Sequence, residues 1–218
     1  MNWSSRRITA ILSNALLEDQ ATRDATTLAT IDPQQKAMAT ILAKQDCVLA
    51  GVASVQRIFE VFADLEGESR AYPEVSIPQE IFDGVRLHRG ESVASIRHNA
   101  RVLLSCERLI LNLLQHLSGI ATAARAYADA VEGTGVRILD TRKTVPGLRQ
   151  LEKYAVRCGG GFNHRLDLSD GILVKNNTDL QGGIRRNSRG RSPRGRTKIG
   201  HAPNRSRTKR ITANPRDP

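Results

Sequence analysis

The sequence predicts an α+β chain in two parts: an N-terminal sandwich of antiparallel strands with helices on them, then the start of an α/β unit with parallel strands, trailed by a basic tail. Three observations carry this. Between Val136 and Asn177 two short apolar runs, Ile138-Leu139 and Ile172-Leu173-Val174, end abruptly in polar or charged residues, with a helical stretch and a triple glycine between them. That is the order strand, helix, loop, strand, a βαβ unit. Upstream, short apolar runs alternate with turn residues and helical periodicities. Behind both, residues 178–218 hold 12 of the 33 lysines and arginines and 2 of the 22 acidic residues, so the body carries 21 against 20 and nearly all of the net charge of +11 belongs to the tail.

The 218 residues can bury a substantial core and form one or two domains. No run approaches the roughly 20 apolar residues of a spanning helix, and mean hydropathy is −0.37. Arg6-Arg7 precede only a short, interrupted apolar stretch, which argues against a secretory signal and for a cytoplasmic protein. Cys47, Cys106 and Cys158 are odd in number and far apart, so they suit small buried hydrophobes in a reducing compartment better than disulfides or a metal site.

Taken in order, Ser4 or Ser5 could cap a first helix whose Ile8, Ile11, Leu12 and Leu16 share a face. Glu18-Asp19 and Asp24-Ala-Thr-Thr27 follow. Residues 37–43 and 47–50 suggest two strands around the turn Lys44-Gln-Asp46, after which Gly51 opens a helix with Val52, Val55, Ile58, Phe59 and Phe62 at core spacing. Asp83-Gly84 and Arg89-Gly90 mark turns between further short strands. Residues 100–130 form the longest helical region, with a break expected near Ser118-Gly119. Near its start stands Glu107-Arg108; an arginine there is ordinarily a surface residue in a salt bridge.

In parallel α/β folds the carboxyl ends of neighbouring strands share one face. Arg142 and Lys143 after the first strand and Lys175 after the second should therefore converge, joined by His164-Arg165 from the connecting loop. Four cations and an imidazole around one mouth suit a small polyanion, arginine binding carboxylate or phosphate bidentately and lysine acting as a point charge. The plainer reading is a solvated loop with unrelated charges.

These residues carry a resemblance. Asp140-Thr-Arg-Lys-Thr144, Pro146-Gly147, Arg149, Lys153, Ala155-Val156, Gly159-Gly-Gly161, Asn163-His-Arg165 and Asp170 to Asn177 are similar, in order, to quinolinate phosphoribosyltransferase. Upstream, Glu107-Arg108, Asn112 and Leu113 to Thr122 continue the likeness, and Asp24 to Thr27 is similar to the family's entry to its N-terminal domain, with Arg23 where the family usually has glycine. The resemblance implies an N-terminal α+β sandwich domain over 1–112, an incomplete α/β barrel over 113–177 and a separate tail over 178–218.

It further implies the substrates quinolinate and phosphoribosyl pyrophosphate with Mg²⁺, and the products nicotinate mononucleotide, pyrophosphate and CO₂ of NAD biosynthesis. Thr141, Arg142, His164, Arg165 and Lys175 fall where the family binds quinolinate, Lys143 where it meets the phosphoribosyl substrate, and Arg108 where a homodimer partner lends an arginine. Lys143, Lys175 and Arg108 are the residues it marks for catalysis. His164 could equally hold its loop by hydrogen bonds. A relative acting on another aromatic acid is an alternative, although the crowd of arginines favours a dicarboxylate.

The family pattern fades after Asn177, with Gly182-Gly183-Ile184 its last trace, and the segments that carry the family's metal and phosphate ligands have no counterpart, so no metal ligand is assigned. The tail R-R-N-S-R-G-R-S-P-R-G-R-T-K has no apolar periodicity, which predicts disorder. A nucleic-acid-binding arm has the charge for it but lacks interleaved aromatics; a changed reading frame or truncation fits the abrupt loss of pattern better. A barrel without its later strands exposes edges and apolar faces, so the chain alone is expected to be poorly soluble or inactive.

Overall fold

The computed structural model describes residues 1–67 and 73–173. Lys175, Val174 and the tail 178–218, with its expected disorder, lie outside the described residues. Met1–Asp170 forms one compact unit.

Helix α1 (Arg6–Glu18) buries Ile8, Leu12 and Leu16. Ser5 occupies its N-cap position, but its hydroxyl makes no capping bond. A short 3-10 turn (Ala21–Arg23) leads to α2 (Ala25–Thr30). Here the cap is real: Asp24 accepts from the amides of Thr26 at 3.1 Å and Thr27 at 3.2 Å, an arrangement worth about 1 kcal/mol.

Strand β1 is Lys36–Leu42 and β2 is Cys47–Val48, but the two do not pair with each other. β1 lies antiparallel to β5 (Ser92–Asn99), whose other edge holds β3 (Glu74–Ser76); β2 pairs with β4 (Arg86–Leu87). The reason lies in the amides around β2: Val48 donates to the Thr122 hydroxyl at 2.9 Å and Ala50 to the Ser118 hydroxyl at 3.1 Å, which turns this segment onto the long helix and away from β1.

Helix α3 (Ser54–Glu66) starts three residues after Gly51 and buries Val55, Ile58, Phe59 and Phe62 as their spacing predicts. Helix α4 runs unbroken from Ala100 to Ala130, where a break was expected at Ser118-Gly119. A mid-helix glycine costs roughly 1 kcal/mol against alanine. Leu117 and Ala121 are fully buried on either side and Ser118 accepts the Ala50 amide, so packing outweighs propensity.

Helix α5 (Arg149–Cys158) packs on α4 through Leu151 and Ala155. It is also tied to the sheet region: the Tyr154 hydroxyl donates to Asp83, whose other oxygen accepts the Val52 amide at 2.9 Å. Trp3 stands edge-on to the Tyr154 ring, with centroids 5.9 Å apart, and the Arg157 guanidinium lies 5.7 Å from the same ring. Burial, and then Asp83, push the Tyr154 hydroxyl far above its ordinary value, so it remains a donor.

The βαβ unit is built differently from the sequence expectation. Leu139 pairs in parallel with Phe162, just past the triple glycine. Ile172 and Leu173 form no strand. A chain leaving α5 through three glycines reaches the edge beside Leu139 at once, and Phe162 makes the parallel contact there; Val174 of the later apolar run lies outside the described residues.

Candidate functional site

The parallel bridge is made by two bonds, Phe162 amide to Ile138 carbonyl at 2.8 Å and Asp140 amide to Phe162 carbonyl at 3.0 Å. At its carboxyl end sits an ion pair between Asp140 and Lys153, side chains 6% and 4% exposed. A buried pair is stable only if its remaining donors and acceptors are satisfied, and these are. Asp140 Oδ1 accepts the His164 amide at 2.8 Å and Oδ2 the Asn163 side-chain amide at 2.5 Å; Lys153 Nζ donates to the His164 carbonyl at 3.0 Å. Asn163 also donates to the Lys153 carbonyl at 2.8 Å. One charge pair thus locks together the end of the first strand, the middle of α5 and the loop after Phe162.

Two glycines let this happen. A Cβ on Gly159 would lie 2.2 Å from the Ala121 carbonyl oxygen, so only glycine lets the end of α5 meet α4 so closely. Gly160 has φ +87°, the left-handed turn that reverses the chain toward Phe162.

On this frame two loops carry the expected cations. Thr141 and Lys143 are exposed and Arg142 is half-buried, its Nε buried without a partner. The Lys143 amide donates to the Thr141 hydroxyl at 3.1 Å, Arg149 Nε to the Thr144 hydroxyl at 3.1 Å, and the Val145 amide to Glu152 at 3.2 Å. His164 and Arg165 follow Asn163 on the second loop; His164 Nδ1 accepts the Arg165 amide at 2.8 Å. The carboxyl of exposed Asp167 is held below its ordinary value, first by hydrogen bonds from the Ser169 hydroxyl and amide and, among the smaller causes, by the charge of Arg142.

Thr141, Arg142, Lys143, His164 and Arg165 are thus brought around one buried pair. Lys175 lies outside the described residues. Arg108 is elsewhere: it lines a cavity of about 420 Å³ with Asp19, Arg23, Asp24 and Glu107, a lining that includes no residue of 136–170. It precedes His116, the α4 residue bonded to α5, by eight positions, about 12 Å of helix axis.

Asp140, Lys153, Asn163 and His116 stand in the family pattern without a role read from the sequence, and Glu152 went unnoticed there. A signal existed for Glu152, which lies four residues after Leu148 on the stripe that Leu151 and Ala155 bury, so a carboxylate there needs a partner. Among the described residues no group of three or more His, Cys, Asp or Glu could hold a metal ion. No helix among them is long and apolar enough to cross a membrane.

Fold and site together define a mixed helix and sheet chain that carries Arg142, Lys143, His164 and Arg165 on two loops beside a parallel β-bridge. The profiles described as quinolinate phosphoribosyl transferase N-terminal domain and C-terminal domain match residues 24–118 and 120–189. The chain belongs to the quinolinate phosphoribosyltransferase family over those residues. The match runs past Asn177, where the sequence pattern was expected to end.

It is 43% identical over 167 residues to the "Probable nicotinate-nucleotide pyrophosphorylase (carboxylating)" of Bacillus subtilis, covering 77% of this chain and 54% of that relative. It is 42% identical over 154 residues to the nicotinate-nucleotide pyrophosphorylase (carboxylating) of Mycobacterium leprae, covering 71% and 52%. The solved structure of NadC from Streptococcus pyogenes superposes with a TM-score of 0.71 at 44% identity, over 78% of this chain and 57% of that one. The chain spans about half the length of the curated relatives it matches.

Proposed function

We propose that this chain carries the quinolinate-binding part of a quinolinate phosphoribosyltransferase, within a fold of α+β sandwich followed by the opening of an α/β barrel. The observation that carries the reading is the placement of Arg142, Lys143, His164 and Arg165 on two loops fixed by the Asp140–Lys153 pair. Quinolinate has two adjacent carboxylates, and desolvating them demands fixed cations. Arg142 and Arg165 take the carboxylates with the Thr141 hydroxyl, His164 and Lys175. Lys143 faces the phosphoribosyl donor.

The ring nitrogen attacks the anomeric carbon of phosphoribosyl pyrophosphate as the bond to pyrophosphate breaks, through a transition state with oxocarbenium character. Positioning and electrostatics supply the rate, since no covalent nucleophile is needed. The ribosylated ring nitrogen is then positive, so the electron pair of the C2–carboxylate bond stays on the ring as CO₂ leaves, and a proton replaces it. The relatives are named for this carboxylating or decarboxylating chemistry. No step is assigned to Mg²⁺, for which the described residues offer no ligand set.

Arg108 completes the site from a second copy in a homodimer, consistent with a cavity apart from the cation loops. The compartment is the cytoplasm. Isothermal titration of the purified chain with quinolinate and, in parallel, nicotinate tests the reading. Saturable uptake selective for quinolinate supports it; soluble, folded protein that binds neither sinks it, and equal binding of both moves the substrate to another aromatic acid.

A further inference from the structure

We propose that Glu152 and His116 act as a positioning pair for the cation loop, an inference that rests on the reading above. Glu152 and Lys153 are neighbours on α5, yet they grip opposite ends of the same loop. Lys153 holds Asp140 at its start, and Glu152, itself 9% exposed, accepts the amide of Val145 at its end, with its two oxygens 3.4 and 3.2 Å from the nitrogen. Between these anchors lie only Thr141, Arg142, Lys143 and Thr144. The Glu152 oxygen 3.4 Å from Val145 also accepts from His116 Nε2 at 3.0 Å, and His116 stands on α4.

The arrangement is thus a chain of three links: α4 to Glu152 through His116, Glu152 to Val145, and Val145 by two residues of backbone to Lys143. A buried carboxylate needs more than one donor, and here the second comes from another helix. What the second donor adds is a fixed direction for the carboxylate, and through it a fixed aim for the loop that carries Arg142 and exposed Lys143. Closing both ends of a short loop on one helix removes conformations that would have to be given up when an anion binds. Misaim of a charged group by about 1 Å can cost on the order of a hundredfold in turnover.

The test uses the full chain and the variants Glu152→Ala, Glu152→Gln and His116→Ala. Backbone hydrogen exchange at Val145, the quinolinate dissociation constant and the rate of Lys143 acetylation by an amine-reactive reagent are measured on each. In Glu152→Ala, Val145 should exchange at least about tenfold faster and quinolinate should bind about tenfold more weakly. Glu152→Gln keeps an acceptor of the same shape and should return both to within about threefold of the parent, while His116→Ala should fall between. Acetylation of Lys143 should be fastest in Glu152→Ala, slower in His116→Ala and slowest of the three in Glu152→Gln.

Unchanged Val145 exchange overturns the clamp, and faster exchange with unaltered quinolinate affinity overturns its role in binding. If the parent chain takes up no quinolinate, the proposed function fails by itself. The clamp is then decided by Val145 exchange and Lys143 reactivity, which need no ligand. Should Glu152→Ala not fold, Glu152→Gln and His116→Ala decide between the same outcomes.

Discussion

Replacing Lys153 by methionine probes the centre of the site most directly. The Asp140–Lys153 pair is almost completely removed from water, at 6% and 4% exposure. Methionine keeps much of the lysine volume, while Asp140 loses its counter-charge. Breaking a buried pair from one side costs about 3–5 kcal/mol. Two donors remain on Asp140, the His164 amide and the Asn163 side chain, so the lower end, about 3 kcal/mol, is the expectation. In a chain of this size that lowers the melting temperature by about 6–12 °C. Urea titration followed by circular dichroism measures the loss, and Lys153→Met combined with Asp140→Asn should recover more than half of it, because no uncompensated charge is left. A cost under about 1 kcal/mol, or a double variant worse than the sum of the singles, would refute the claim that this pair ties the two loops together.

Three other outcomes follow from the same geometry. Gly159→Ala drives a methyl against the Ala121 carbonyl oxygen, a backbone atom that cannot swing away; it should cost about 1–3 kcal/mol by thermal melt and weaken quinolinate uptake with it. Tyr154→Phe removes the donor from Asp83 and should cost about 1–2 kcal/mol in urea, with the Val52 amide still bonded to Asp83. His98, edge-on to Phe59 at 6.4 Å, is held below its ordinary value of 6.5 by burial. The unfolded chain therefore binds a proton that the folded one refuses, so stability should fall as the pH drops through 6.5 and level off below the folded value. His98→Phe should flatten that part of a melting profile between about pH 7 and 5.

Much of the N-terminal half was legible because burial there follows periodicity. Ile8, Leu12 and Leu16, and Val55, Ile58, Phe59 and Phe62, are core at the spacing the sequence displays. Pairing was not legible. Residues 47–48 follow β1 by a short turn yet join β4, because the hydroxyls of Thr122 and Ser118, more than sixty residues away, claim the amides of Val48 and Ala50.

In the site, the cations of a motif announced themselves and Lys153 stood in the pattern without a role, whereas Glu152 looked like an ordinary charge on an amphipathic helix. Their partners Asp140, Val145 and His116 become visible only once α5 lies against α4. The bridge at Phe162 was hidden for a related reason. A single bridge after three glycines has no period to detect, while the more apolar Ile172-Leu173-Val174 drew attention away from it.

The unbroken α4 has a consequence for how damage spreads. Its 31 residues, about 46 Å, are at once the floor under β1, β2 and β5 and the wall behind α5. Neither side has a core of its own that excludes this helix, so the sheet and the cation loops should melt as one cooperative unit. A lesion buried near Phe59 or Ile58, far in sequence from any charged loop, would then present in a binding assay as lost ligand affinity. Screens for ligand-binding defects should accordingly recover substitutions throughout the N-terminal core, and a second-site suppressor of one need not lie anywhere near the anion.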